Sequence, residues 1–254
     1  MMPITNKEIE KILRGIWKGE ISIFSLPKRI FEFTYSELIG VVDNGFGGGV
    51  GDFQEGSFKA NKALAYQNNI SVFSGAKTFQ EVKDMSMFIF KNDGSKRPFK
   101  EFREFGQKIN ETYNVHWLKT EQDTAFGMAQ SADKWIKIED EQELLPYLKY
   151  VTAADERVRD EHAQWDGIVR PVNDSFWDTT MPVNGFNCRC TVTRLHEGKE
   201  SSLKGVKRND DKLFSVNAGK VDYIFNENKH PYFKVEKRFK PMLKNNFGFK
   251  TPEK

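Results

Sequence analysis

The apolar residues Ile9, Ile12, Leu13, Ile16 and Trp17 recur at i, i+3, i+4, i+7 and i+8, which is one stripe of a helix. Gly15 lies within this helix at a cost of about 1 kcal/mol relative to Ala. A stripe this apolar must dock, and core packing is its commonest outcome. Residues 27–42 open on Pro27 and carry Ile30, Phe31, Tyr35, Leu38 and Ile39, predicting a second helix. The run NGFGGGVG at 44–51 follows. It lacks both the Lys-Ser/Thr of a phosphate loop and the GxGxxG spacing, so it reads as a flexible hinge. Residues 53–90 read as further helices, with Phe58, Leu64, Ala65, Phe73, Phe79, Val82, Met85 and Phe88 as core candidates.

A turn at 92–94 precedes Pro98, a residue suited to the first turn of a helix. Phe99, Phe102, Phe105 or Gly106, Ile109 and Tyr113 then share one face. Another helix is expected over 117–138, with Leu118, Ala125, Met128, Ala129, Ala132, Trp135 and Ile136 buried. Glu121 and Asp123 on it read as a solvated face, since charged helix residues usually meet water; bonding across the core is the other reading.

The pattern changes at 147. The run TAAD at 152–155 reads as a capping box opening a short helix, on which Asp155, Arg159 and His162 would share a face and Asp155 would pair with Arg159. Asp166-Gly167 breaks it. Residues 167–171 and 190–195 read as strands, and the loop between them carries Phe176 and Trp177, rings expected to pack down and pin it. The fold class is therefore α+β: a mostly helical N-terminal part, a compact small helix-and-strand module and a basic tail. The expected divisions are 1–52 (helices with the glycine hinge), 53–146 (helical), 147–196 (compact module) and 197–254 (extension).

Composition bounds this picture. With 38% apolar and 30% charged residues the chain is not disorder-like, and no apolar run approaches a membrane span. The polar start reads as no signal peptide, and two cysteines in 254 residues fit synthesis in a reducing cytoplasm. Charge is uneven. Residues 197–254 carry net +6 and the remainder −3. Residues 197–211 read as a linker or an exposed loop, while 234–250 interleave Lys and Arg with Phe239, Phe247 and Phe249, a pattern able to follow a nucleic-acid backbone or to pack a few rings on the body.

Cys188 and Cys190 stand two apart at the start of a strand, so their side chains point the same way; a disulfide between them would close a strained ring. Two readings fit. In one, Cys188, Cys190, His162 and a fourth ligand, Asp155 or His196, hold a structural zinc. In the other, the cysteines are simply buried, Arg189 bonds a carboxylate and His162 bonds the backbone. Nothing in the sequence marks a catalytic residue or another cofactor.

Thr152, Asp155, Arg157, Arg159 and His162, then Asp166-Gly167, Phe176-Trp177, Pro182, Gly185 and Asn187-Cys188-Arg189-Cys190 together resemble the signature of the Mu F-like minor head proteins of tailed phages, the head morphogenesis family. The likeness extends loosely upstream through 116–140, and 225–233 looks like a closing segment of that family. Two positions depart: Met181-Pro182 stands where the family often has two prolines, and Asp160 where it often has one. The resemblance implies a low-copy virion component. It would be made in the host cytoplasm and then lie inside the capsid near the portal vertex. Its partners would be the portal protein and capsid or scaffold proteins, with nonspecific DNA contact through 197–254, a role in head morphogenesis and DNA packaging or delivery, and no membrane partner. Asp155, Arg157, Arg159, Gly167, Trp177, Pro182, Asn187 and Arg189 are its structural signature. The alternative is a metal-dependent hydrolase or nuclease, or a phage-derived toxin, using His162, Cys188 and Cys190.

Overall fold

The computed structural model describes residues 3–251. It divides into two compact units. One comprises the described residues through Gly40, Gln67–Gln122 and those from His230 onward; the other comprises Val41–Tyr66 and Asp123–Lys229. The class is α+β, as the sequence predicts.

In the first unit, α1 (Asn6–Lys18) forms where the stripe predicts it, and Ile9, Ile12, Leu13 and Ile16 are buried. Thr5 and Glu8 make a reciprocal capping box: the Glu8 amide donates to the Thr5 hydroxyl (3.2 Å) and the Thr5 amide to the Glu8 carboxylate (2.8 Å). Helix α2 (Lys28–Phe46) follows, belonging to this unit as far as Gly40, and then α3 (Phe58–Ser86), belonging to it from Gln67. The latter is one helix of 29 residues where several were expected; no proline or glycine pair breaks it. Leu13 packs against Gly106 of α4 (Phe99–Glu111), where an added Cβ would stand 2.3 Å from the leucine. Val82 and Met85 of α3 complete this core with Phe102. A π-helical turn, Thr112–Trp117, carries α4 into α5 (Leu118–Asp140).

The C-terminal segment, ending in the short α8 (Lys240–Lys244), belongs to this unit. Phe239 and Phe247 lie against Phe79 of α3, with ring centres 5.2 and 4.8 Å away, and Phe249 stacks on Phe31 at 4.0 Å. Asn246 sits so close to Gly75 that a Cβ there would lie 2.2 Å from its side-chain oxygen. The aromatic half of the basic-aromatic pattern is thus spent on packing.

One other expectation fails in this unit. Glu121 of α5, read as solvated, is only 6% exposed. It is paired with the fully buried Lys77 of α3 and accepts a hydrogen bond from the Tyr232 hydroxyl (2.8 Å). Glu81, one turn along α3 from Lys77, is also buried and accepts from Asn114 (2.8 Å). Burial raises the Glu81 carboxyl to about 8 and lowers the Lys77 ammonium. Asp123, by contrast, is exposed as expected.

In the second unit, β1 (Tyr147–Val151) lies between β2 (Val169–Pro171) and β3 (Thr191–Leu195), antiparallel to both, with Tyr147 facing Pro171 on one side and Leu195 on the other. Both expected strands are present, each slightly shorter than the sequence suggested. Leu148 and Tyr150 of β1 alternate inward to a core shared with Trp135, Trp165, Ile168, Phe176, Trp177 and Val192. The short α7 (Trp177–Thr180) fixes the loop after β2.

Phe58 was a core candidate but is 60% exposed, because it opens α3 with its ring toward solvent. The glycine run is no free hinge. Helix α2 continues to Phe46, and Asp52 accepts from the Gly49 amide (2.8 Å) to close a short 3-10 turn. Gly45 is there for closeness, since a Cβ would stand 2.6 Å from the Phe126 carbonyl. Of the two readings for residues 197–211, the exposed loop is the one found, and it is anchored to the unit at two points. The Ser201 amide donates to the Val169 carbonyl (2.9 Å), and the Trp165 indole donates to the Lys207 carbonyl (2.7 Å). Further on, Gly219 lies flat on Trp135, and Tyr66 donates to the Ala218 carbonyl (2.9 Å). Among the described residues no helix is long and apolar enough to cross a membrane.

A candidate thiol–imidazole site

No helix starts at Thr152. The Thr152 amide and hydroxyl both donate to Asp166, at 2.7 and 2.9 Å, and Ala154 takes a left-handed conformation (φ 53°) that ends any helical run. The helix instead begins late, as the single turn α6 (Asp160–Ala163). Consequently Asp155 does not pair with Arg159. It receives both guanidinium nitrogens of Arg189, each at 2.6 Å, with Arg157 3.7 Å away. The Arg189 fork holds the Asp155 carboxyl down at about 2. Arg159 turns to the other side of the loop and donates to the Phe186 carbonyl at 2.6 Å.

Four more signature positions have legible roles. Gly167 turns the chain at φ 75°, and Asn187 holds the left-handed conformation (φ 57°) that aims Cys188 inward. The carbonyl of Pro182 accepts from the buried Ser131 hydroxyl. Trp177 is fully buried and its indole donates to the Pro171 carbonyl at 2.9 Å, pinning the loop as expected.

These supports bring three groups together. His162, on α6, is 5% exposed and stacks on Trp165, with ring centres 5.2 Å apart. Its Nδ1 faces Cys188 Sγ at 3.8 Å and Cys190 Sγ at 3.7 Å. The cysteines, both free, flank the solvent-facing Arg189. The two thiols act on each other in opposite directions: Cys190 lowers the Cys188 thiol, and Cys188 raises that of Cys190. The His162 contact lowers Cys188 further.

Neither proposed fourth ligand joins them. Asp155 is held by Arg189, and His196 is exposed beyond the far end of β3, roughly 20 Å along an extended strand. The three-residue set is the metal-capable cluster among the described residues. Sequence reading missed its supports Trp165, Tyr150, Asn184 and Asn209. The Tyr150 hydroxyl, whose proton burial and Cys190 hold in place, accepts from Asn184 at 2.9 Å, and Asn209 donates to Asn184 at 3.0 Å. Only the inward alternation of β1 could have pointed to Tyr150.

A solvent-sized recess of about 20 Å³ opens beside the cluster, lined by Arg157, Arg159 and Arg189 and by no carboxylate. A larger cleft of about 690 Å³ borders the two cysteines on their other side. Its one lining carboxylate, Asp133, is held by both Lys59 and Lys137.

A three-stranded sheet whose long loop is folded back onto a partly buried thiol–imidazole cluster defines this unit as a tied-down α+β module. Residues 76–193 match the profile of the family described as Phage Mu protein F like protein, so this segment of the chain is similar to that family. Two relatives agree. Protein F of Escherichia phage Mu, whose name refers to capsid assembly, is 38% identical over 97 residues, which is 38% of this chain and 20% of that protein. The Mu-like prophage FluMu F protein of Haemophilus influenzae is 32% identical over 80 residues, 32% of this chain and 18% of the relative. The matched stretch thus spans about a fifth of the length of these relatives. No solved structure matches the chain.

Proposed function

We propose that this chain is a head-assembly protein of a Mu-like phage or prophage, and that its Mu F-like segment is a rigid, non-catalytic module. The match over residues 76–193 to a family whose phage Mu member is named for capsid assembly carries this reading. The local chemistry is consistent with it. The charged signature residues near the cluster bond to one another or to backbone, and the recess beside it has no carboxylate to act as a general base. On this reading the protein docks at the portal vertex with portal and capsid or scaffold proteins. It is made in the host cytoplasm and carried into the head. Contact with packaged DNA would rest on the +6 charge of residues 197–254 alone, because the phenylalanines there are engaged in packing.

The test is assembly. A phage or prophage lacking this chain should yield few filled heads, complementation should restore them, and the protein should sediment with purified heads in few copies. Normal heads without it, or its absence from purified heads, would overturn the proposal.

A further inference from the structure

We infer that His162, Cys188 and Cys190 bind one zinc(II) ion, which ties the loop before β3 to α6, with a single water completing the coordination.

Geometry carries this. In a tetrahedral zinc site with bonds of about 2.3 Å to sulfur and 2.0–2.1 Å to nitrogen, the edge between a nitrogen and a sulfur is about 3.6 Å. The observed Nδ1–Sγ separations are 3.7 and 3.8 Å, and the three donor atoms all lie within 4.8 Å of one another. An ion can therefore seat between them with shifts of a few tenths of an ångström, roughly the tolerance expected of a real site.

The donor set selects the metal. Two soft sulfurs and an imidazole suit zinc and exclude the oxygen-seeking magnesium and calcium. The supports match what a metal-bound histidine and thiolates require. Trp165 holds the His162 ring by stacking, and the Tyr150 hydroxyl hydrogen-bonds Cys190, itself oriented by Asn184. Asn187 in the left-handed conformation turns Cys188 toward the cluster, and Arg189, drawn outward to Asp155, leaves the two flanking side chains on the inner side.

All three donors line the recess, whereas His162 does not line the larger cleft, so the fourth position is assigned to the recess, whose volume of about 20 Å³ takes one water and no substrate. Zinc here would therefore hold structure together, closing the span between residues 162 and 188–190, and would not turn over a ligand. This inference is independent of the assembly reading, since any folded copy of the chain should carry the ion.

The experiment is elemental analysis of the full chain, purified without a metal-affinity step in buffer free of chelator. One zinc per chain is expected. The double variant Cys188→Ser with Cys190→Ser should retain less than a tenth of that, and His162→Ala should weaken retention at least tenfold. His116→Ala and His196→Ala should keep the full complement. Because the cysteine variants could lose the fold, the wild-type protein supplies a second readout. Stripping with a strong chelator should lower its melting temperature, and added zinc(II) chloride, but not magnesium chloride, should restore it. Protein without zinc whose melting temperature is unmoved by added zinc would overturn the inference, as would zinc retained in full by the double cysteine variant.

Discussion

Arg189 and Asp155 meet through two parallel hydrogen bonds of 2.6 Å, linking the turn after β1 to the cysteine-bearing loop across 34 residues of sequence. Because both groups are substantially exposed, the pair should matter for local order more than for global stability. In Asp155→Ala, amides of residues 184–190 should exchange with deuterium markedly faster while those of α1 do not change. Arg189→Lys should behave similarly, because an ammonium cannot reproduce the two-pronged grip. Unchanged exchange in 184–190 would show that the pair is incidental.

Trp177 has no exposed surface, and its indole is bonded to the Pro171 carbonyl. Trp177→Ala should cost about 3–5 kcal/mol in denaturant unfolding. Leu144, equally apolar but 64% exposed, should lose less than about 0.5 kcal/mol on truncation. Comparable losses at the two positions would contradict the burial described.

Lys77 is the cation of a buried cluster that holds Glu121 and Glu81. Lys77→Met leaves the buried Glu121 without its counter-charge, so a loss of about 3–5 kcal/mol is expected. Lys77→Met combined with Glu121→Gln should recover part of it. A double variant less stable than the single would reject a pairing role.

Glu81 and His230 set opposite pH slopes in the same unit. Burial holds the Glu81 carboxyl at about 8, above its ordinary 4.5. Between those values the folded state keeps a proton that the unfolded chain has released, so stability falls as pH rises. Burial first, and the Lys77 charge second, hold His230 at about 4, below its ordinary 6.5. There the unfolded chain binds a proton that the folded state excludes, and stability rises with pH. From 4.5 to 6.5 the two offset each other, and from 6.5 to 8 only the decline remains. Glu81→Gln keeps the shape of the neutral acid, so it should uncover the His230 rise, about 1.4 kcal/mol per pH unit over that lower window. Denaturant titrations at several pH values give the slopes, and identical profiles for variant and wild type would refute the assignment.

What the sequence made legible was short-range. The stripe of Ile9, Ile12, Leu13 and Ile16 named its own buried face, and the alternation at 190–195 named a strand, because each depends only on neighbours a few residues away. The common direction of Cys188 and Cys190 followed from the same periodicity. The failures around the site and at Glu121 involve distant partners. A capping box at Thr152 was plausible until Asp166, 14 residues on, took both of its donors. Asp155 had a helical partner on paper and found Arg189 instead. Glu121 looked like a surface acid because neither Lys77 nor Tyr232 is near it in sequence. Local spacing carries no information about which long-range partner wins.

Asn246 resting on Gly75, with Phe247 beside Phe79, has a practical corollary for anyone trimming the gene. A fragment stopped soon after the Mu F-like match would leave the aromatic flank of α3 bare to water. Such a fragment should clump during expression, so the last twenty-odd residues must travel with the segment they cover.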